Sequence, residues 1–325
     1  MSRKNSKLVV FTALITILIL PALEAFGKTK NIWVIHKGSL LDYWQQMEKG
    51  VLRATEEEGI NLRWIGSKYS DNTPSQIKIV RQAIKERADA IVLIPTDRKA
   101  LVPVVLEAKK KGIAIVILDS ALDGQYHSAF IGSNNFEGGR LAARKLGKKL
   151  QGRGNVAILR IVKNSASTDA RADGFIYEME ESYPQIQIVS DTHSGSLSGA
   201  SYRSAAQMLE KHAEIHGIFA VNESATIGAL TALREKLRSQ QTVLVGYDTN
   251  DQLEQAVASG EIYGLIVQNP EEMAYVGIKN TVALLNGRNI PRLTYTDVSW
   301  FAADMVATTS DIQCIHPKGP NLERL

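Results

Sequence analysis

Cysteine is almost absent from this sequence, because Cys314 is the sole cysteine among 325 residues. A disulfide within the chain is therefore excluded, and no cysteine follows the N-terminal apolar run where a lipid could be attached. An excess of one charge is lacking too, since 38 lysines and arginines face 34 aspartates and glutamates. The formal net charge of +4 gives no support for a nucleic-acid partner, which requires a strongly basic surface.

Long hydrophobic runs are missing apart from one stretch near the N-terminus. Three basic residues precede thirteen uncharged residues, LVVFTALITILIL, which end before Pro21 and the small residues Ala25 and Gly27. Thirteen residues are too few to span a bilayer, which takes about 20. The pattern predicts a signal peptide over residues 1–27, cleaved near Ala25 or Gly27, with an uncleaved anchor as the alternative. Its removal would lower the formal charge from +4 to +2, because three basic residues and one acidic residue are lost.

Signatures of catalysis and metal binding are missing as well. The glycines of GRGN at 152–155 precede a predicted strand, whereas the glycines of a phosphate-binding loop follow one. HAEIH at 212–216 lacks the HExxH order, and GSLSG at 195–199 has Leu197 where a nucleophile elbow needs serine. We therefore expect no cofactor, no metal site and no enzymatic activity.

What the sequence does contain is an alternation of short β-branched runs with longer segments of helical periodicity. Segments such as SQIKIVRQAIKERAD carry apolar residues at spacings of three and four. The alternation predicts an α/β fold of mostly parallel sheets, with helices on both faces. The predicted strands are 31–36, 62–66, 90–95, 114–120, 130–133, 155–162, 186–191, 217–222, 242–248 and 264–268.

The predicted strands could form one wide sheet, a barrel or two smaller sheets. A polar, turn-rich run from Asp119 to Gly139 separates the first group of βα units from the second. This interruption favours two sheets, and a TIM-like barrel is the structural alternative.

Polar residues follow nearly every predicted strand, at the edge where parallel sheets bind their ligands. Helix capping by small polar residues accounts for Ser75, Thr96 and Ser224. It does not account for carboxylates, amides and two aromatic rings at separate strand ends. The residues that call for another explanation are Tyr43, Trp44, Asp119, Asn222, Asp248 and Gln268.

The chain resembles the periplasmic sugar-binding proteins of the ribose-binding type, which are solute receptors of ABC transporters. The resemblance covers essentially the whole mature chain and rests on nine ordered segments, among them YWQQMEKG, IVLIPTD, FAVNESATIGAL and VGYDTNDQL. It implies the type I periplasmic binding protein fold, with two Rossmann-like lobes joined by a three-crossing hinge. The implied N-terminal lobe is 28–133 plus 269–295, the C-terminal lobe is 134–268 plus 296–325, and the crossings fall near 133–134, 268–269 and 293–297.

The resemblance also implies a sugar site in the cleft between the lobes. Tyr43 and Trp44 would stack on the faces of a sugar ring, and the chemistry agrees, because apolar C–H faces suit aromatic planes. Carboxylates and amides suit the hydroxyl edges of the ring, which is the role implied for Asp119, Asn222, Asp248 and Gln268. Packing of both rings in the core is the alternative for the aromatic pair.

Several positions depart from the ribose pattern. Ser120 and Asp169 stand where ribose binders have arginines, which leaves Arg171 as an arginine of the scaffold. Leu41 and Asp42 replace an asparagine and a proline. Ser196 is the counterpart of an aromatic residue. These departures argue against ribose itself.

The departures also change the charge expected in the pocket. Asp119 and Asp248, with Asp42 and Asp169 as further candidates, would repel an anionic ligand unless Lys37 or Lys163 reaches in. We therefore expect a neutral sugar or polyol, with an amino sugar, another cation or an autoinducer-type compound as alternatives. Capping of a helix is the other interpretation of Asp169.

Together these observations predict a monomeric, non-enzymatic receptor in the periplasm. Closure of its lobes around a small sugar or polyol would be read by an ABC transporter permease, or alternatively by a chemoreceptor or sensor kinase. Sugar-responsive repressors share the two-lobe body but need a DNA-binding helix-turn-helix and carry no signal peptide. An enzyme that uses Asp119 and Asp248 as an acid and base pair is the third class.

Overall fold

The computed structural model describes residues 30–306 and the backbone of residues 323–324. The predicted signal peptide at 1–27 and Cys314 lie outside the described residues. Within residues 30–306, no helix is long and apolar enough to cross a membrane.

The strands begin close to the positions that the sequence predicts, and three further strands follow the last predicted one. In chain order they are β1 Asn31–His36, β2 Asn61–Gly66, β3 Ala90–Leu93, β4 Ala114–Leu118, β5 Ala129–Ser133, β6 Arg153–Arg160, β7 Gln185–His193, β8 Gly217–Ala220, β9 Val243–Tyr247, β10 Gly264–Gln268, β11 Leu293–Thr296, β12 Val298–Phe301 and β13 Glu323–Arg324.

Helices connect these strands. The helices of the described chain are α1 Asp42–Glu58, α2 Thr73–Lys85, α3 Val102–Lys110, α4 Asn135–Lys149, α5 Ala166–Ser182, α6 Ser198–Lys211, α7 Glu223–Glu235, α8 Asp251–Ala258, α9 Pro270–Leu285 and α10 Ala303–Val306. The HAEIH segment follows the end of α6, so its two histidines do not share a helix face.

The strands form two sheets. The first has the order β11-β5-β4-β3-β1-β2, with all its neighbours parallel. The second has the order β13-β12-β10-β9-β8-β6-β7, in which β12 pairs antiparallel with both β10 and β13 and the other neighbours are parallel. The prediction of two mostly parallel sheets is confirmed, and the single barrel is wrong, because the polar run after β4 ends the first series of βα units.

The chain passes between the sheets three times. It leaves the first sheet after β5, returns after β10 through α9, and crosses again between β11 and β12. We call the first sheet with its helices the N-terminal lobe and the second sheet with its helices the C-terminal lobe. The residue boundaries of the two lobes stay a prediction.

The core of the N-terminal lobe lies on both faces of its sheet. Ile32 and Val34 of β1 pack on one side, together with residues of α1 and α9. Trp33 and Ile35 point to the other side and pack with residues of α2 and α3. This alternation explains why the strands read as continuous apolar runs, since both faces of each strand are buried.

Two glycines bring α4 and α5 into close contact in the C-terminal lobe. A Cβ atom on Gly139 would lie 1.9 Å from the carbonyl oxygen of Arg171, and one on Gly174 would lie 2.0 Å from that of Phe136. Any side chain at either position would force the helices apart. The close approach fixes α5, and with it Arg171, against the rest of the lobe.

Candidate functional site

A cavity of about 40 Å³ lies between the carboxyl ends of the two sheets. The lobes are in direct contact beside it, since the backbone N–H of Ser167 in the C-terminal lobe donates to Oγ of Ser120 in the N-terminal lobe at 3.2 Å. The six residues that the resemblance implies as ligand contacts all line this cavity, and Lys37 lines it too. The six are Tyr43, Trp44, Asp119, Asn222, Asp248 and Gln268.

Asp119 forms the centre of the N-terminal half of the cavity. The hydroxyl of Tyr43 donates a 2.7 Å hydrogen bond to its Oδ1, and Nζ of Lys37 lies 3.7 Å from its Oδ2. Lys37 also reaches across to the C-terminal lobe, where it donates to Oγ of Ser165 at 3.3 Å. Burial lowers the pKa of Lys37, and the charge of Asp119 opposes this shift.

Asp248 forms the centre of the C-terminal half. Nε2 of Gln268 donates to its Oδ1 at 2.6 Å, and Nη1 of Arg171 lies 3.6 Å from its Oδ2. The backbone N–H of Glu223 donates to the same Oδ2 at 3.2 Å. Burial raises the pKa of Asp248, and Arg171 is the main group that opposes the rise.

The two carboxylates share an unusual backbone conformation. Asp119 follows β4 with a φ of 59°, and Asp248 follows β9 with a φ of 66°. This left-handed region is uncommon for residues other than glycine, although aspartate tolerates it better than most. Such conformations concentrate at functional sites, where the surrounding fold holds them in place. Here the turn directs each carboxylate away from its strand and into the cavity.

The aromatic pair belongs to the cavity and to the core at once. The rings of Tyr43 and Trp44 meet edge to face, with centroids 5.0 Å apart. Both pack with Met47 and Val51 in the hydrophobic cluster beneath α1, and both line the cavity. The two interpretations of these residues are therefore not exclusive.

Three buried polar atoms of cavity-lining residues have no hydrogen-bond partner within the described residues. They are Nε1 of Trp44, Oγ of Ser196 and Oε1 of Gln268. A buried polar group without a partner costs about 1–3 kcal/mol, so such groups are rare without a reason. One N–H donor, one hydroxyl and one amide oxygen together match the donors and acceptors of a polyhydroxylated solute.

Two of the further candidates do not reach the cavity. Asp42 lies in the first turn of α1 with its side chain exposed, where it accepts a hydrogen bond from Gln45. Asp169 faces Arg160, whose Nη1 lies 3.7 Å from its Oδ1. Lys163 is exposed as well, so Lys37 alone of the two lysines considered reaches the site.

The expectation of an acidic pocket needs correction, because Arg171 is more than a scaffold residue. Its Nε donates to Asn135 and its Nη1 to the carbonyl of Val221, as a scaffold arginine would. The same guanidinium also lines the cavity beside Asp248. Each cavity carboxylate thus faces a buried cation, and the formal charges of the four groups cancel.

Sequence reasoning missed Glu223 and Ser167. Glu223 contacts the N-terminus of α1 in the other lobe, and the backbone N–H of Ser167 donates to Ser120 at 3.2 Å across the cleft. Both lie within one or two residues of a strand end or a helix start, where polar residues are common and no local pattern distinguishes these two. The described residues include no group of three or more His, Cys, Asp or Glu side chains that could hold a metal ion.

The chain is similar to known proteins over most of its length. Residues 32–289 match the family model described as a periplasmic binding protein domain. The D-ribose/D-allose-binding protein of Pseudomonas aeruginosa is 31% identical over 296 residues, which cover 88% of this chain and 92% of that protein. The chain belongs to the periplasmic binding protein family.

Solved structures of this family show the same architecture. The periplasmic component of an ABC-type sugar transport system from Hahella chejuensis is 33% identical, with a TM-score of 0.81 over 83% of this chain and 98% of that one. The carbohydrate transporter solute-binding protein of Agrobacterium radiobacter, solved with D-arabinose, is 27% identical, with a TM-score of 0.83 over 88% and 97%. The prediction of an extracytoplasmic sugar receptor of the ABC-transporter type, and not an enzyme, is confirmed at the level of the family.

Proposed function

We propose that this periplasmic binding protein captures a neutral sugar or polyol between its lobes. The observation that carries the proposal is the pairing of each cavity carboxylate with its own buried cation, Asp119 with Lys37 and Asp248 with Arg171. A cationic ligand would meet no unpaired negative charge there, and an anionic ligand no unpaired positive charge. The unpartnered atoms of Trp44, Ser196 and Gln268 supply hydrogen bonds to hydroxyl groups.

The aromatic rings support a ligand with apolar C–H faces. Trp44 and Tyr43 give the cavity one apolar wall, and the carboxylates and amides give it a polar edge. A sugar ring has both kinds of surface, whereas an amino sugar adds a positive charge, and both cavity carboxylates are already paired with cations. Binding would be determined by Tyr43, Trp44, Asp119, Asn222, Asp248 and Gln268, together with Lys37 and Arg171.

Lobe closure would present the bound form to a membrane partner. Contacts between the lobes already flank the cavity: Asn164 donates to Asp97 at 3.1 Å, and Arg98 donates through its backbone to the carbonyl of Asn164 at 2.9 Å. Since both lobes contribute to the surface that a partner can read, closure couples ligand binding to recognition. We propose an ABC transporter permease as this partner, in the periplasm, for a monomeric receptor delivered by a cleaved signal peptide. A chemoreceptor or sensor kinase reading the same closed form is the alternative.

A thermal-shift screen tests the ligand class. The purified protein is unfolded and refolded to strip any carried solute, and then heated with pentoses, hexoses, polyols, amino sugars and autoinducer-type compounds. A ligand at a hundred times its Kd adds about 2.7 kcal/mol of stability, which shifts the midpoint measurably. We expect hits among neutral sugars or polyols. A shift with amino sugars alone, or with none of these compounds, would contradict the proposal.

The partner requires a separate experiment. Uptake of the radiolabelled hit by the source cells, with and without this gene, distinguishes transport from sensing. Loss of uptake is expected for an ABC receptor. Normal uptake with a lost tactic or transcriptional response would favour the sensor alternative.

A further inference from the structure

The N-terminus of α1 lacks a cap from its own chain neighbours. Leu41 occupies the N-cap position and makes no side-chain hydrogen bond to the helix. Helices that begin after Asn222 or Asn250, by contrast, are capped by those side chains. Leucine is among the poorest N-cap residues, since it has no acceptor for the free N–H groups of the first turn.

The missing acceptor comes from the other lobe. Glu223, the first residue of α7, accepts from the backbone N–H of Asp42 at 3.3 Å through Oε1 and from that of Tyr43 at 3.2 Å through Oε2. Asn250 of its own lobe donates to the same Oε1 at 2.9 Å. The carboxyl of Glu223 therefore completes a helix start that belongs to the opposite lobe.

This contact connects the two halves of the ligand site. The backbone N–H of Glu223 donates to Asp248 in the C-terminal half, while its side chain holds the amide of Tyr43, whose hydroxyl donates to Asp119. A continuous series of hydrogen bonds thus joins both cavity carboxylates across the cleft. Glu223 itself does not line the cavity, so it acts through other residues and not on the ligand.

The surroundings of Glu223 disfavour its charge when the lobes are closed. The residue is 2% exposed, and the carboxylates of Asp248 and Asp42 both face it. Arg171 forms its ion pair with Asp248, and no cation of the described residues forms an ion pair with Glu223. Burial raises the pKa of Glu223 to about 7, and the hydrogen bonds from Asn250 and from the backbone N–H of Tyr43, which favour the anion, only partly oppose this rise.

We propose that Glu223 is a proton-linked latch: when the lobes close over a solute, its carboxyl is buried against the start of α1 and takes up a proton from solvent. With the lobes apart, this carboxyl faces water and has an ordinary glutamate pKa near 4.5. Protonation of Glu223 therefore favours closure most at pH values below about 4.5. This contribution to the free energy of closure is lost as the pH rises through about 7. The latch rests on the proposed capture of a solute, and it makes capture tighter in a more acidic compartment.

The test compares binding by the wild type and by Glu223→Gln at about pH 5, 6, 7 and 8. The probe is the neutral sugar or polyol that gives the largest thermal shift. For the wild type, we expect Kd to rise tenfold or more between about pH 5 and 7 and to level off above, because one linked proton changes Kd up to about tenfold per pH unit. Glu223→Gln, which is neutral at every pH, should lose most of this dependence.

A matched control and a proton count complete the test. Glu254→Gln alters a half-buried glutamate that bonds to Thr249 within its own lobe, and it should keep the wild-type dependence. Calorimetry in buffers of different ionisation enthalpy should show net proton uptake by the wild type on binding at pH 6, and this readout applies even if Glu223→Gln does not fold. Equal pH dependence in Glu223→Gln and the wild type, or no proton uptake by the wild type, would overturn the latch. Absence of binding at every pH would instead refute the proposed ligand class.

Discussion

The hydroxyl of Tyr43 donates a 2.7 Å hydrogen bond to Oδ1 of Asp119, while Lys37 lies 3.7 Å from Oδ2 of the same carboxylate. Asp119 is thus held from two sides by residues of its own lobe. Because each carboxylate oxygen can accept more than one hydrogen bond, lone pairs remain for ligand hydroxyls in fixed directions. The arrangement fixes the orientation of the acceptor, which favours particular hydroxyl geometries over others.

Tyr43→Phe tests the contribution of this hydrogen bond. The ring and its packing are kept, but the buried carboxylate loses one donor. We expect the free energy of unfolding to fall by about 1.5 kcal/mol and the affinity for the solute to fall several-fold, because Asp119 is less firmly oriented. Urea unfolding and titration calorimetry measure the two effects. Tyr177→Phe, at an exposed position of α5, is the control and should change neither.

Two substitutions separate the roles of Trp44. Trp44→Phe keeps an aromatic wall but removes Nε1, a buried donor without a partner in the described protein. We expect ligand affinity to fall by about 0.5–1.5 kcal/mol, with little change in stability. Trp44→Ala should lose binding and also destabilise the fold by about 3–5 kcal/mol, because the residue packs in the core. Unchanged affinity in Trp44→Phe would show that Nε1 does not meet the ligand.

Asp248→Asn tests the C-terminal half of the site. The substitution keeps the shape but leaves Arg171 without its buried counter-ion. We expect a loss of about 1.5–3 kcal/mol in ligand affinity, since charged acceptors make the stronger hydrogen bonds, and a loss of up to about 3–5 kcal/mol in stability. Asp169→Asn, outside the cavity, should keep wild-type affinity. Equal effects of the two substitutions on ligand affinity would show that Asp248 does not contact the ligand.

The burial of His36 predicts that the protein loses stability in mild acid. Burial lowers its pKa to about 4, and a 2.6 Å contact between its Nδ1 and the carbonyl oxygen of Gly38 opposes the shift. The unfolded chain binds a proton near the ordinary value of 6.5, so the unfolded state gains protons first as the pH falls. This group should therefore remove about 3 kcal/mol of stability between about pH 6.5 and 4.

The measurement is the free energy of unfolding in urea across that range of pH. His36→Gln cannot titrate, so its stability should fall less steeply on acidification than that of the wild type, whatever its stability at neutral pH. His193→Gln, at an exposed position, serves as the control and should follow the wild-type curve. An identical slope in His36→Gln would contradict the prediction.

Much of the fold was predictable because parallel strands buried on both faces leave a strong sequence signal. The run from Ala90 to Leu93 is buried at every position and reads as an uninterrupted apolar segment. β11 was not predicted, because its edge position leaves Leu293 and Tyr295 exposed and gives no apolar run. Local sequence patterns also identified candidate ligand residues at strand ends. They could not distinguish Asp248, which lines the cavity, from Asp169, which faces Arg160.

By itself, the sequence determined two α/β lobes and the strand ends from which the site is built, since periodicity and strand-end chemistry are local properties of the chain. Only the tertiary structure decided the charge of the pocket, because Lys37 and Asp119, like Arg171 and Asp248, meet from separate elements. It also decided the contacts of Glu223, whose hydrogen-bond partners Asp42 and Tyr43 lie in the other lobe. Contacts between residues about 180 positions apart depend on how the lobes close, and no local pattern records that.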